Sequence, residues 1–175
     1  MSFGETRVRV SYLELRTPPA RQAAESVAAA TGAAAIALER LSSVEYLALY
    51  RRVGEPVRWD QRLQMPATEL ATLLAGDRLR IYVLRDTAAA AIGLCEFDRG
   101  AFPEIELKNF GIVPEMQGRG LGRHLLASAL VQEWQTGLQR VWLHTDNWDH
   151  PAAIRLYSSV GFRVFEERDE PVGPL

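Results

Sequence analysis

The chain has 175 residues, 47% of them hydrophobic and 24% charged, with a formal net charge of −2. That length buries a core without disulfide or metal staples and predicts one domain over residues 1–175. The near-balanced charge excludes a global basic field, so neither nucleic acid nor a membrane surface is expected as a partner.

The single cysteine, Cys95, lies in the apolar run "AAIGLCEF", which excludes an internal disulfide and predicts a packed, inert thiol. The start, "MSFGETRVRV", has no apolar run of the secretory kind, and "VAAATGAAAIAL" is too short and alanine-rich to span a bilayer. A soluble, cytoplasmic protein is expected.

"TRVRVSYLEL" (6–15) alternates as a strand and is ended by "TPP". The alanine-rich 20–35 reads as a short helix or a connection leading toward a strand near "AIALER". Residues 42–54 predict a helix capped by Ser42 or Ser43, with Glu45 in its first turn, Arg51 and Arg52 in its last, and Gly54 as its stop. A second helix is predicted over 65–77, between Pro66 and Gly76. Strands follow over 78–86, 89–98 and 104–113.

The second half alternates. A glycine-rich stretch leads into a helix reaching Trp134, with Gly137 beyond it. A strand at 140–145, a helix from Pro151 to Gly161 and a strand at 162–167 complete the pattern. Leu121, Leu125 and Ala129 form one apolar stripe on the long helix, and Leu126, Leu130 and Trp134 form another, so that helix should be buried on two sides. His124 on it reads as solvated or packed. The order of elements predicts a mixed sheet covered by helices on its faces.

The stretch "VPEMQGRGLGRHLL" (113–126) sets Gly118, Gly120 and Gly122 at a helix start. Amides at a helix start lack intrahelical partners, and the dipole adds positive charge there. Glycines let an anion approach those amides, with Arg119 and Arg123 at the rim. A P-loop would need Lys-Ser/Thr after Gly122, and a dinucleotide fingerprint would need glycine at Arg123. The alternative is that the glycines serve close helix–sheet packing.

The spacing Gln/Arg-x-x-Gly-x-Gly/Ala, carried by Gln117, Gly120 and Gly122, resembles the acyl-CoA pyrophosphate loop of the GCN5-related N-acetyltransferase (GNAT) superfamily. "DHPAAIRLYSSVGF" (149–162) is similar to that family's later motif, a helix with Leu-Tyr that ends in Gly-Phe. The resemblance covers roughly residues 103 to 165 and is loose before them. It implies an α/β (α+β) fold with a mixed, mostly antiparallel central sheet of six to seven strands and helices on both faces. Residues 1–100 would carry the acceptor-side helices and 103–168 the acyl-CoA-binding core.

The resemblance further implies acetyl-CoA as co-substrate. Its pyrophosphate would lie on Gln117, Gly118, Arg119, Gly120, Leu121, Gly122 and Arg123. Its pantetheine arm would run beside Phe110, Gly111, Ile112 and Val113, with the Ile112 N–H facing the thioester oxygen. Many members carry asparagine seven residues before the tyrosine, where this chain has His150. Asn147 and His150 are therefore both candidates for the polar contact to the CoA arm.

Tyr157 matches the family's general acid, although helical spacing alone makes it a half-buried aromatic beside Ala153 and Val160. Glu106, thirteen residues before Arg119, matches the general base of histone-acetylating members. Its alternative is an ion pair with Lys108 on the same strand face. Glu96 or water would be the substitute base. "HTDNWDH" gathers His144, Asp146, Asp149 and His150 without a recognised metal-ligand spacing, and Asp149 or His150 more simply caps the following helix. No metal is expected.

The acceptor side would draw on Tyr46, Tyr50 and Trp59, with Arg51, Arg52, Asp60 and Arg62 nearby, which suits a small amine, an amino acid or a peptide terminus. The expected reaction is N-acetyl transfer from acetyl-CoA to a primary amine by direct attack, through a tetrahedral intermediate. The alternative is a catalytically silent acyl-CoA-binding sensor or regulatory module. A homodimer is left open.

Overall fold

The structure is a computed structural model that describes residues 7–19 and 35–171. The helix or connection expected over 20–35 lies almost wholly outside the described residues. Seven strands form one sheet: β1 (Arg7–Leu15), β2 (Ala35–Leu38), β3 (Leu79–Arg85), β4 (Ala91–Asp98), β5 (Glu104–Ile112), β6 (Arg140–Asp146) and β7 (Arg163–Pro171). Their spatial order is β2-β3-β4-β5-β6-β1-β7. Every neighbouring pair is antiparallel except β5 and β6. The first strand thus lies between the last two, a crossover that no local sequence pattern announces.

The helices are α1 (Ser43–Gly54), the single turn α2 (Gln61–Gln64), α3 (Ala67–Ala75), α4 (Leu121–Trp134) and α5 (Ala153–Ser159). Ser42 and Glu45 close a reciprocal capping box on α1, as expected of a serine three residues before a glutamate. Gly54 does not stop that helix through a left-handed turn. A Cβ on it would come within 2.5 Å of the Trp59 Cβ, so the glycine makes room for Trp59. The left-handed residue is Arg58, at φ 59°.

Glycines on β4 and β5 show how the layers sit. A Cβ on Gly93 would meet Ile112 and the α4 residue Leu125, whereas one on Gly111 would meet Val53 of α1. Because Gly93 pairs with Ile112, Gly111 and Gly93 face opposite ways, and α1 and α4 cover opposite faces of the sheet. Leu125, Leu126, Ala129 and Leu130 are fully buried, so α4 is apolar on two sides, and His124 is packed rather than solvated. Cys95 is fully buried as well, and burial raises its thiol pKa.

Candidate active site

The site begins where two strands part. β5 pairs with β6 only at Glu104–Arg140, Ile105–Val141 and Glu106–Trp142. On the other side of β5 the register to β4 shifts, so that Phe97 faces Leu107 while Glu96 faces Asn109, and Lys108 is the extra residue of a bulge. A bulge bends and re-aims its strand. Beyond it β5 stays with β4, while β6 continues along β1 from Val141–Leu15 to Asp146–Val10. The two parallel strands open into a cleft of about 970 Å³.

The backbone lining this opening follows from hydrogen-bond alternation. The Val113 N–H donates to the Ile92 carbonyl at 3.0 Å. In an antiparallel pair, bonded and non-bonded positions alternate, so Val113 and Gly111 face β4. Phe110 and Ile112 present their N–H groups to the gap. Of the four residues expected along the pantetheine arm, Phe110, Gly111 and Ile112 line the cleft, while Val113 is fully buried with its N–H engaged. The Gln117 side chain donates to the Ile112 carbonyl at 3.0 Å, which ties the loop to the strand and occupies that acceptor.

Next comes the glycine loop. Gly118 and Gly120 adopt φ of 74° and 76° in the left-handed region, where a side chain is strained. α4 starts directly after Gly120, and Gly118, Gly120, Leu121, Gly122 and Arg123 line the cleft. Gly122 has a different role: a Cβ there would come to 3.1 Å from Leu156 of α5. Close packing thus accounts for Gly122, whereas Gly118 and Gly120 meet a backbone requirement. Arg119 does not line the cleft, and its guanidinium lies 3.5 Å from the Glu115 carbonyl.

On the α5 side, the Tyr157 ring packs against Phe110 and Phe162 at centroid distances of 6.0 and 5.9 Å. The residue lines the cleft, and its hydroxyl has no hydrogen-bond partner among the described residues. Burial raises its pKa, and the nearby Asp149 charge adds to this. Asp149, which lines the same wall, accepts from the Thr145 hydroxyl at 2.5 Å. Burial pushes this carboxyl above its ordinary range despite that bond. His150 lines the cleft and accepts the Ala152 N–H on Nδ1 at 3.1 Å, so it caps the turn before α5. Asn147, the other candidate for the CoA arm, lies outside the cleft lining and its N–H donates to the Arg9 carbonyl.

The opposite wall carries Tyr50 and Trp59, with rings 5.4 Å apart, and Arg58, whose guanidinium lies 6.0 Å from the Trp148 ring across the cleft. Tyr46 is fully buried outside the lining and donates to Glu96. Glu96 also accepts from Arg62 at 2.6 Å and from Asn109 at 3.1 Å. A carboxylate so enclosed and saturated, away from the cleft surface, serves as a structural anchor beneath the Tyr50–Trp59 wall.

Glu106 stands at the fork itself. Its Oε1 lies 3.1 Å from the Lys108 ammonium and 3.5 Å from His144 Nδ1. Burial raises its pKa, but the His144 and Lys108 contacts outweigh this and hold the carboxyl below its ordinary value. Glu106 does not line the cleft, whereas His144 does. The segment "VWLHT" held a signal for this: Val141 and Leu143 are the buried apolar face of β6, which leaves Trp142 and His144 on the face shared with Glu106.

The sequence profile of the Acetyltransferase (GNAT) family matches residues 44–162. The chain belongs to that family. A mycothiol acetyltransferase from Nocardiopsis dassonvillei is 42% identical over 64 residues, which are 37% of this chain and 19% of that protein. The N-alpha-acetyltransferase RimI of Mycobacterium tuberculosis is 36% identical over 77 residues, 44% of this chain and 46% of that protein. The chain therefore spans less than half the length of these curated relatives. A crystal structure of a putative GNAT-family acetyltransferase from Novosphingobium aromaticivorans superposes with a TM-score of 0.66 at 20% identity, over 95% of this chain and 64% of that one, a likeness of fold.

Proposed function

We propose that the protein transfers an acetyl group from acetyl-CoA to a primary amine of a small molecule, amino acid or peptide. One observation carries this reading: the N–H groups of Phe110 and Ile112 run along the gap into a glycine-built helix start, with the Tyr157 hydroxyl, unpartnered among the described residues, beside them. The amides suit a pantetheine arm lying as an added strand, and the helix start suits a pyrophosphate. The Ile112 N–H would hold the oxyanion of the tetrahedral intermediate, a contribution of about 3 kcal/mol.

In this reading the amine attacks from the Tyr50–Trp59 side. The C–N bond forms, the C–S bond breaks, and Tyr157 protonates the leaving sulfur. A carboxylate-containing group at the fork, built on Glu106, receives the proton of the amine. The names of the relatives, a mycothiol acetyltransferase and an N-alpha-acetyltransferase, support an amine acceptor of either small-molecule or peptide type. No described helix is long and apolar enough to cross a membrane, and the lone buried cysteine suits a reducing, cytoplasmic setting. The test is release of free thiol from acetyl-CoA over a panel of amines, with the acetylated product identified by mass.

A further inference from the structure

Of Glu106 and His144 at the fork, only His144 lines the cleft. Glu106 is largely enclosed, with 14% of its side chain exposed, and lies off the cleft surface. His144 is 49% exposed in the same cleft, one strand away, with Nδ1 toward the Glu106 carboxylate at 3.5 Å. Its ring is held between Tyr12 of β1 at 6.0 Å and Trp142 at 6.4 Å. An imidazole in contact with two aromatic rings, with a carboxylate near Nδ1 and half of its side chain exposed in the cleft, has the arrangement of a base and its orienting group.

We propose that His144 is the general base and that Glu106 is a positioning residue acting through it. This deepens the acetyltransfer reading and rests on it. Glu106 fixes the tautomer with the proton on Nδ1, leaving the lone pair on Nε2 for the acceptor. The proton of the attacking amine moves to Nε2 as nitrogen adds to the thioester carbon. The resulting imidazolium faces the Glu106 carboxylate. Collapse of the intermediate sends the C–S electron pair to sulfur, which takes the Tyr157 proton. Transfer from the imidazolium through solvent then restores the tyrosine. The charged and titratable groups facing His144 are Glu106 and Lys108 from β5, Tyr12 from β1 and Asp149 from the loop before α5.

The test measures thiol release by the full chain with saturating acetyl-CoA and an amine that the parent acetylates. His144→Ala and His144→Gln should each lose about 10²-fold or more in kcat, the usual worth of a positioned base, while acetyl-CoA affinity holds. Added imidazole should restore part of the His144→Ala rate, and the acid limb of the parent's pH–rate profile should disappear in both variants. Glu106→Gln keeps a hydrogen-bond acceptor for Nδ1, so it should lose less and gain nothing from imidazole. A parent that acetylates amines alongside a His144→Ala enzyme of equal kcat overturns the base assignment alone. So does a loss without imidazole rescue in an otherwise unchanged pH profile. A parent that binds acetyl-CoA and acetylates no amine overturns the transfer reading, and this assignment with it.

Discussion

Gly122 and Leu156 stand so close that a Cβ on the glycine would lie 3.1 Å from the leucine Cδ1, whereas Gly118, four residues earlier, has open space around it. Glycines of one motif thus answer to different constraints. Gly118→Ala and Gly120→Ala should each cost about 1–2 kcal/mol, because both positions need the left-handed backbone. In Gly122→Ala, a helix-propensity gain of about 1 kcal/mol offsets the crowding, so its melting temperature should stay near the parent's. Acetyl-CoA at a hundredfold its Kd should stabilise the parent by about 2.7 kcal/mol, and Gly120→Glu should abolish that shift. Thermal melts with and without ligand check all four.

The anchor beneath the Tyr50–Trp59 wall is the Arg62–Glu96 pair, at 2.6 Å with both side chains nearly enclosed. Arg62→Met leaves the Glu96 charge without its cation and should cost about 3–5 kcal/mol. Adding Glu96→Gln should recover much of that loss. Urea unfolding of the two variants and the parent measures both steps.

Asp149 sets a pH dependence of stability. Burial raises its pKa in the folded chain, so between the ordinary carboxylate range and that raised value the folded state binds more protons than the unfolded one. This group's contribution therefore falls as pH rises through that window. Asp149→Asn should be more stable than the parent above the window and equal to it below. Denaturation midpoints across acid to neutral pH would reveal the crossover.

Trp59 lines the cleft and packs on Gly54 and Tyr50, on the wall proposed to receive the amine. Trp59→Ala should raise the KM for the amine several-fold and leave the Kd for acetyl-CoA nearly unchanged. Kinetics with each substrate varied in turn separate the two.

Much of this architecture was legible in the residues. The capping box, the strand alternations and the twin apolar stripes of α4 are local signals, and they gave the element order. The glycine loop and the Leu-Tyr helix pointed to the chemistry. The insertion of β1 between β6 and β7 was not legible, because strand order is fixed by packing across the whole sheet. The Lys108 bulge escaped for a related reason: a bulge exists only relative to the partner strand. Glu96 looked like a spare base because its enclosure by Tyr46, Arg62 and Asn109 joins three separate elements. His144 stood out only as one of the polar residues of "HTDNWDH", because its pairing with Glu106 depends on the parallel register of β5 and β6.

Acid-assisted acetyl transfer at the β5–β6 opening, as proposed, is tested by Tyr157→Phe, which removes one oxygen that has no hydrogen-bond partner among the described residues. The measurement is kcat for thiol release with an amine that the parent acetylates, alongside acetyl-CoA affinity. Proton donation by Tyr157 predicts a loss of about 10²-fold or more in kcat with affinity unchanged. A Tyr157→Phe enzyme that turns over at the parent's rate would contradict it and return Tyr157 to a packing role against Phe110 and Phe162.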